Sequence, residues 1–363
     1  MSGKARHYFP GNNTPEGFFS YYHYILSQHE AKKIWCIKGG PGVGKSTFMK
    51  KIGKSILSLG YDVDFLHCSS DNSSIDGIVI RDLKISIIDG TKPHIVDPIN
   101  PAAVDSIINL GDYWNEPAIR KNKFELIRIN ENIKDLFSRT YNYLAAAEKM
   151  YDNVSSIIGK KLKDGELYKI AASLIEEELS HKELTTDIGQ LKRFFASAIT
   201  PTGIENYLDV LTEGYEKVYI LQSPIGINCG RILSLVLESA LYRGLDVEAF
   251  YCSMKPGDKI EHLLIPDLSV AIVTSNKYHM IEPNGKTLID INALESQELS
   301  QTQAHIASDS LERMDDLINR AVECLGEAKK EHDHLESYYI PNMDFSKIEL
   351  LRREIEESIK KLS

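Results

Sequence analysis

The chain is 363 residues long, 42% hydrophobic and 26% charged, with a formal net charge of -10 at pH 7. That is the composition of a globular protein with enough length for two domains, and its acidity supplies no overall field to recruit nucleic acid. Five cysteines (Cys36, Cys68, Cys229, Cys252, Cys324) form no C-x-x-C pair, no secretory segment is evident near Met1 and no uncharged run is long enough to span a bilayer; the reading is a reducing cytoplasm and no membrane.

In chain order, Ile34-Trp35-Cys36-Ile37 reads as a short buried strand, and Phe48, Met49, Ile52 and Ile56 then recur at helical spacing until Gly60. Between them lies Gly39-Gly40-Pro41-Gly42-Val43-Gly44-Lys45-Ser46, a full G-x-x-x-x-G-K-[ST] loop followed by Thr47. Glycines let successive backbone N–H groups turn inward on a phosphate, and the new helix adds positive potential at its N-terminus. Lys45 is placed to reach β/γ-phosphate oxygens, and the Ser46 hydroxyl is a Mg²⁺ ligand. Residues 39–47 are therefore the expected nucleotide-binding segment. Apolar runs at Val63–Cys68 and Ile85–Ile88 predict two further strands. Their lack of alternation indicates burial on both faces, as in a parallel sheet wound on both sides by helices. Asp89 closes the second run and is the expected second Mg²⁺ ligand. Asp71, just past the first, is the candidate to orient an attacking water. A long polar helical stretch from about residue 117 to 195 follows, with a break at Lys163-Asp164-Gly165. Its basic residues, Arg120 and Arg139 among them, read mainly as a solvated face, with an arginine finger as the sharper reading.

The chain then repeats itself. Thr14-Pro15-Glu16-Gly17-Phe18 matches Thr200-Pro201-Thr202-Gly203-Ile204, and Leu59–Asp64 matches Arg243–Glu248. Asp82–Asp89 matches Asp267–Thr274, and His94-Ile95-Val96-Asp97-Pro98 matches His279-Met280-Ile281-Glu282-Pro283. Ordered blocks of this kind mark a duplication, 1–190 and 191–363, with a second helical hairpin at about 303–362, broken near Ile340-Pro341-Asn342. In the second copy, Asn228 or Cys229 stands where Lys45 stands, and Thr274 replaces Asp89. A phosphate site without its cation partners is expected to be dead. His94 with Asp97, and Cys68, invite a metal reading; because His279, Glu282 and Cys252 persist in the copy without phosphate machinery, a packing role is favoured.

On its loop, on His7–Phe18, on His67-Cys68-Ser69-Ser70-Asp71 and on the segment from Asp97-Pro98 through Gly111-Asp112, the chain resembles the P-loop NTPases. More narrowly it resembles a Firmicutes family of tandem-duplicated ATP-binding proteins. The resemblance implies two tandem P-loop-type α/β units, doubly wound parallel sheets each followed by a helical hairpin. The chain departs from the family's two-site pattern in its second loop, so its residues predict Mg²⁺-dependent ATP binding and hydrolysis in the first unit, with the second a regulatory or structural repeat. Lys45, Asp71 and Asp89 are the expected catalytic residues, and Ser46 and Asp89 the Mg²⁺ ligands. A nucleoside-type or small-molecule kinase and a non-catalytic ATP sensor or scaffold are the alternatives. ATP is the expected ligand, a protein partner is open, and nucleic acid is disfavoured.

Overall fold

A computed structural model describes residues 2–294 and 296–362. The first unit runs β1 (Ala5–Tyr8), β2 (Gly11–Thr14), β3 (Gly17–Ser20), β4 (Lys33–Lys38), α1 (Lys45–Ser58), β5 (Val63–His67), β6 (Ile75–Ile80), β7 (Ile85–Asp89) and β8 (Asp105–Asn109). Three helices follow, α2 (Glu116–Arg120), α3 (Lys123–Ile158) and α4 (Asp164–Leu179). The second unit repeats the plan with β9 (Leu191–Phe194), β10 (Ser197–Thr200), β11 (Gly203–Asn206), α5 (Leu208–Thr212), β12 (Lys217–Gln222), α6 (Gly230–Leu241), β13 (Val247–Cys252), β14 (Lys255–Ile265), β15 (Val270–Ser275) and β16 (Thr287–Asp290). It closes with α7 (Gln301–Tyr339) and α8 (Phe345–Leu362).

Each unit builds a six-stranded sheet, ordered β1-β5-β6-β7-β4-β8 and β16-β12-β15-β14-β13-β9. The registers agree: Ile37 pairs with Asp89 at the end of the first β4–β7 ladder, and Leu221 pairs with Thr274 at the same rung of β12–β15. The paired Thr-Pro-x-Gly segments are the turns of two small hairpins, where Gly17 and Gly203 hold φ of 101° and 116°. Thr14 and Thr200 each donate a hydroxyl hydrogen bond to the carbonyl of that glycine. Side-chain amides of Asn12 and Asn13 join the two hairpins, bonding the backbone of Ser197 and Ile199.

Three features depart from the expected doubly wound parallel sheets. Both sheets are mixed, because β6 and β14 run antiparallel to their neighbours. The first helical stretch ends at Leu179, and residues 191–194, read from sequence as helix, form strand β9. Helices cover only one face of each sheet. Trp35, Ile37, Phe65 and Ile87 pack under Phe48, Met49 and Ile52 of α1, whereas Cys36, Leu66 and Ile88 on the opposite face meet Ile220, Phe250 and Val273 of the second sheet. The unalternated apolar runs reflect burial on both faces, but one cover is the sister sheet.

The outer layers are exchanged between units. Leu167, Ala171 and Leu174 of α4 bury against Ile232, Leu233 and Val236 of α6, in the second unit. Ile348 and Ile359 of α8 bury with Met49 and Ile56 of α1, in the first. The exchange is carried by α3 and α7, which pair along an apolar seam that includes Leu144, Tyr151, Met314, Ala321 and Leu325. At 1.5 Å rise per residue, each is about 55 Å long. A capping box sets the start of α7: Ser300 Oγ accepts from Gln303 N, and Gln303 Oε1 accepts from Ser300 N.

Candidate functional site

The loop after β4 has the conformation its glycines predict. Gly42 and Gly44 hold φ of 66° and 86°, where an L side chain is strained, and α1 begins immediately at Lys45. The Lys45 ammonium donates to the carbonyls of Gly39 and Gly40 at 3.3 and 3.0 Å and lies 3.6 Å from Asp89 Oδ2. Asp89 is anchored through Oδ1, which accepts from Thr91 N and Thr91 Oγ at 2.8 and 2.6 Å. Ser46 Oγ accepts from Ile75 N at 3.0 Å, while Thr47 is exposed on the first turn of α1. The Ser46 hydroxyl and the Asp89 carboxylate are hard oxygen donors of the type Mg²⁺ selects.

Asp71 stands apart from this constellation. Its Oδ1 accepts from Ser73 N and Ser73 Oγ, and its Oδ2 lies 3.5 Å from Lys329 of α7. The carboxylate that shares the field of Asp89 is Asp76, on β6 one residue before the Gly77–Ile88 pair. Burial pushes the Asp76 carboxyl up, His94 opposes the shift and Asp89 adds to it. His94 Nε2 lies 3.4 Å from Asp76 Oδ2, and Asp97 instead binds Lys38 at 2.6 Å. The His94/Asp97 combination considered as a metal pair is therefore not assembled. Asp76 was missed because an isolated Asp in an apolar strand carries no motif. The duplication held the signal: Gly77 pairs with Ile88 as His262 pairs with Val273, so Asp76 and Glu261 are equivalent. Arg120 pairs with Glu116 on its own short helix and Arg139 is exposed on α3.

Contacts at the loops fix the equivalence that sequence left open. A Cβ on Gly42 would meet Ile340 Cγ1 and Glu336 O, and one on Gly226 would meet Ile158 Cβ and Val154 O. Gly42 therefore matches Gly226, Lys45 matches Cys229 and Ser46 matches Gly230. The last match is independently marked, since Ser46 Oγ bonds Ile75 N and a Cβ on Gly230 would touch the backbone of Ile260. Lysine, serine and aspartate thus become cysteine, glycine and threonine. Asn228 Oδ1 accepts from Gly230 N inside the second loop.

Beside this second loop lies a cavity of about 50 Å³ whose walls include Tyr151, Cys229, Lys259, Glu261 and His279. Lys259 Nζ is 3.1 Å from Glu261 Oε1. Burial alone would raise the Glu261 carboxyl, but His279 and Lys259 hold it down at about 2. Glu261, His262 and His279 have ligand-type atoms within 4.8 Å of one another. The tautomer speaks against a metal there. His262 Nδ1 accepts from Thr274 N, so in the neutral ring Nε2 carries the proton and has no lone pair to give. Burial keeps that ring neutral.

Each loop is capped by the turn between the other unit's long helices. The Ile158 side chain and the Val154 carbonyl of α3 close the second loop. Over the first, Tyr339 and Trp114 lie against Gly40, Ile340 against Gly42 and Phe345 against Gly44. Glu336 of α7 places Oε1 2.9 Å from Gly42 N, accepting its hydrogen bond. Compared with known proteins, the chain matches no family model, and no curated protein or solved structure matches it either.

Proposed function

We propose that the first unit binds Mg·ATP at residues 39–47 and hydrolyses it, and that the second unit is a nucleotide-free repeat that reads out the bound state. One observation carries this reading. A glycine-built amide loop, an ammonium and a carboxylate converge in the first unit, while the equivalent rungs of the second hold Cys229, Gly230 and Thr274. Lys45 would offset charge building on the γ-phosphate, and Ser46 and Asp89 would hold Mg²⁺, which supplies further charge neutralisation when bound. The loop carbonyls that now hold Lys45 are weaker partners than a phosphate, so the side chain is free to exchange them.

Gly90 rather than an acid follows Asp89, and this favours a second reading, ATP sensing without turnover. Calorimetric titration with Mg·ATP tests both. One site per chain is expected, with Lys45→Ala abolishing binding and Asn228→Ala leaving it unchanged. Equal loss from both substitutions would overturn the assignment of one live and one dead loop. ADP release separates the readings: steady release without acceptor indicates hydrolysis, release only with an added acceptor indicates a kinase, and none indicates a sensor.

A further inference from the structure

We infer that Glu336 is a phosphate-mimicking latch: its carboxylate occupies the Gly42 amide of the loop, and an incoming polyphosphate must expel it and with it the α7–α8 turn. The inference rests on the reading of residues 39–47 as a nucleotide site. An N–H that faces into a glycine nest is an anion donor, and here the anion is supplied by the protein, 2.9 Å away. Among the described residues, no side chain accepts from the equivalent Gly226 N of the second loop. Three residues before the end of α3, where α7 has Glu336, stands Ser155, an uncharged hydroxyl that is buried without a hydrogen-bond partner. The carboxylate therefore coincides with the loop that keeps its lysine and serine.

Displacement of Glu336 is not a local side-chain flip. The same helix is fastened to the first unit by Lys329, 3.5 Å from Asp71. The turn beyond it lays Tyr339, Ile340 and Phe345 over Gly40, Gly42 and Gly44. A phosphate and a carboxylate at one amide repel, and beside the protein that repulsion is only partly screened. Ligand and latch therefore exclude each other, and binding energy is spent on opening the turn. Since α7 pairs with α3, and α3 ends on the second loop, the opened turn gives the second unit a signal to read.

Calorimetry and hydrogen exchange on the full chain test this, with Mg·ATPγS as the probe. Glu336→Ala is expected to bind about ten-fold or more tighter than the parent, because the parent's apparent affinity is the intrinsic one multiplied by the fraction of open loops. Glu336→Gln, which keeps the acceptor and loses the charge, is expected between the two. In the parent, ligand should protect amides 39–46 and deprotect 330–345, whereas in Glu336→Ala the second segment should exchange fast without ligand. Protection at the loop with unchanged affinity in Glu336→Ala, and no change at 330–345, would overturn the latch while leaving the nucleotide site standing. No binding to any of the three proteins would remove both.

Discussion

At the scale of single residues, Arg6 is a buried charge that ties the two units together. Its guanidinium meets Asp64 at 3.0 Å within its own sheet and Glu248 of β13 at 2.8 Å across the unit boundary. Burial alone would lower the Arg6 pKa, and the two carboxylates more than reverse that. Asp64 also accepts from Tyr8 Oη and from Arg81. Removing one partner of a buried ion pair leaves an uncompensated charge, so Arg6→Met is expected to cost about 3–5 kcal/mol in urea unfolding at pH 7. Glu248→Gln, at the more exposed end, should cost less. The pH dependence has a definite sign. Burial alone would raise the Asp64 carboxyl, and Arg6 and Arg81 hold it below its ordinary value. Stability from it is therefore present above the unfolded-state pKa of about 3.9 and is lost as pH falls below it. The gap between parent and Arg6→Met should narrow over that range, and a gap that widens in acid would contradict the pairing.

At the scale of elements, the strand–loop–helix at β4, residues 39–44 and α1 was legible because three independent signals coincide there: an apolar run, a cluster of glycines, and a change of period from strand to helix. The break at Ile340-Pro341-Asn342 was legible for a similar reason, since proline cannot extend a helix. What covers each strand face was not legible. Leu66 and Phe65 are both buried, one under the second sheet and one under α1, and apolar character is the same for either cover. The exchange of α4 and α8 was hidden too, because an amphipathic face specifies burial and not its partner. Ile359 makes the exchange testable. It lies in the last turns of α8 and is fully buried with α1 residues. Ile359→Ala is expected to cost about 2–5 kcal/mol, and the lost protection in hydrogen exchange should appear in α1, residues 45–58. Loss confined to α6, in the unit that contains Ile359 by sequence, would refute the exchanged packing. Leu174→Ala in α4 is the mirror experiment and should loosen α6.

At the scale of the molecule, the layers run α1 with α8, first sheet, second sheet, α6 with α4. The centre is the contact of two sheets, whose edge strands β1 and β9 are linked at their ends by reciprocal backbone bonds between Phe9 and Phe195 at 2.9 and 3.0 Å. Such an arrangement gives neither half a complete core. Residues 1–190 alone would bare the inner sheet face around Cys36, Leu66 and Ile88, the α1 face under Ile348 and Ile359, and the α3 seam that α7 covers. Exposed apolar area of that extent is an association surface and not a stable monomer surface. The duplication written in the sequence is therefore a repeat of fold and not of folding unit. Fragments 1–190 and 191–363 expressed separately are expected to be aggregated or to bind a hydrophobic dye strongly. Co-expressed, they should copurify in a 1:1 ratio and regain the far-UV spectrum of the intact chain. In the intact chain, thermal unfolding should be one transition, with calorimetric and van't Hoff enthalpies equal. Two separated transitions, or a 1–190 fragment that is monomeric and cooperatively folded, would show that the exchanged helices decorate two self-sufficient domains instead of completing them.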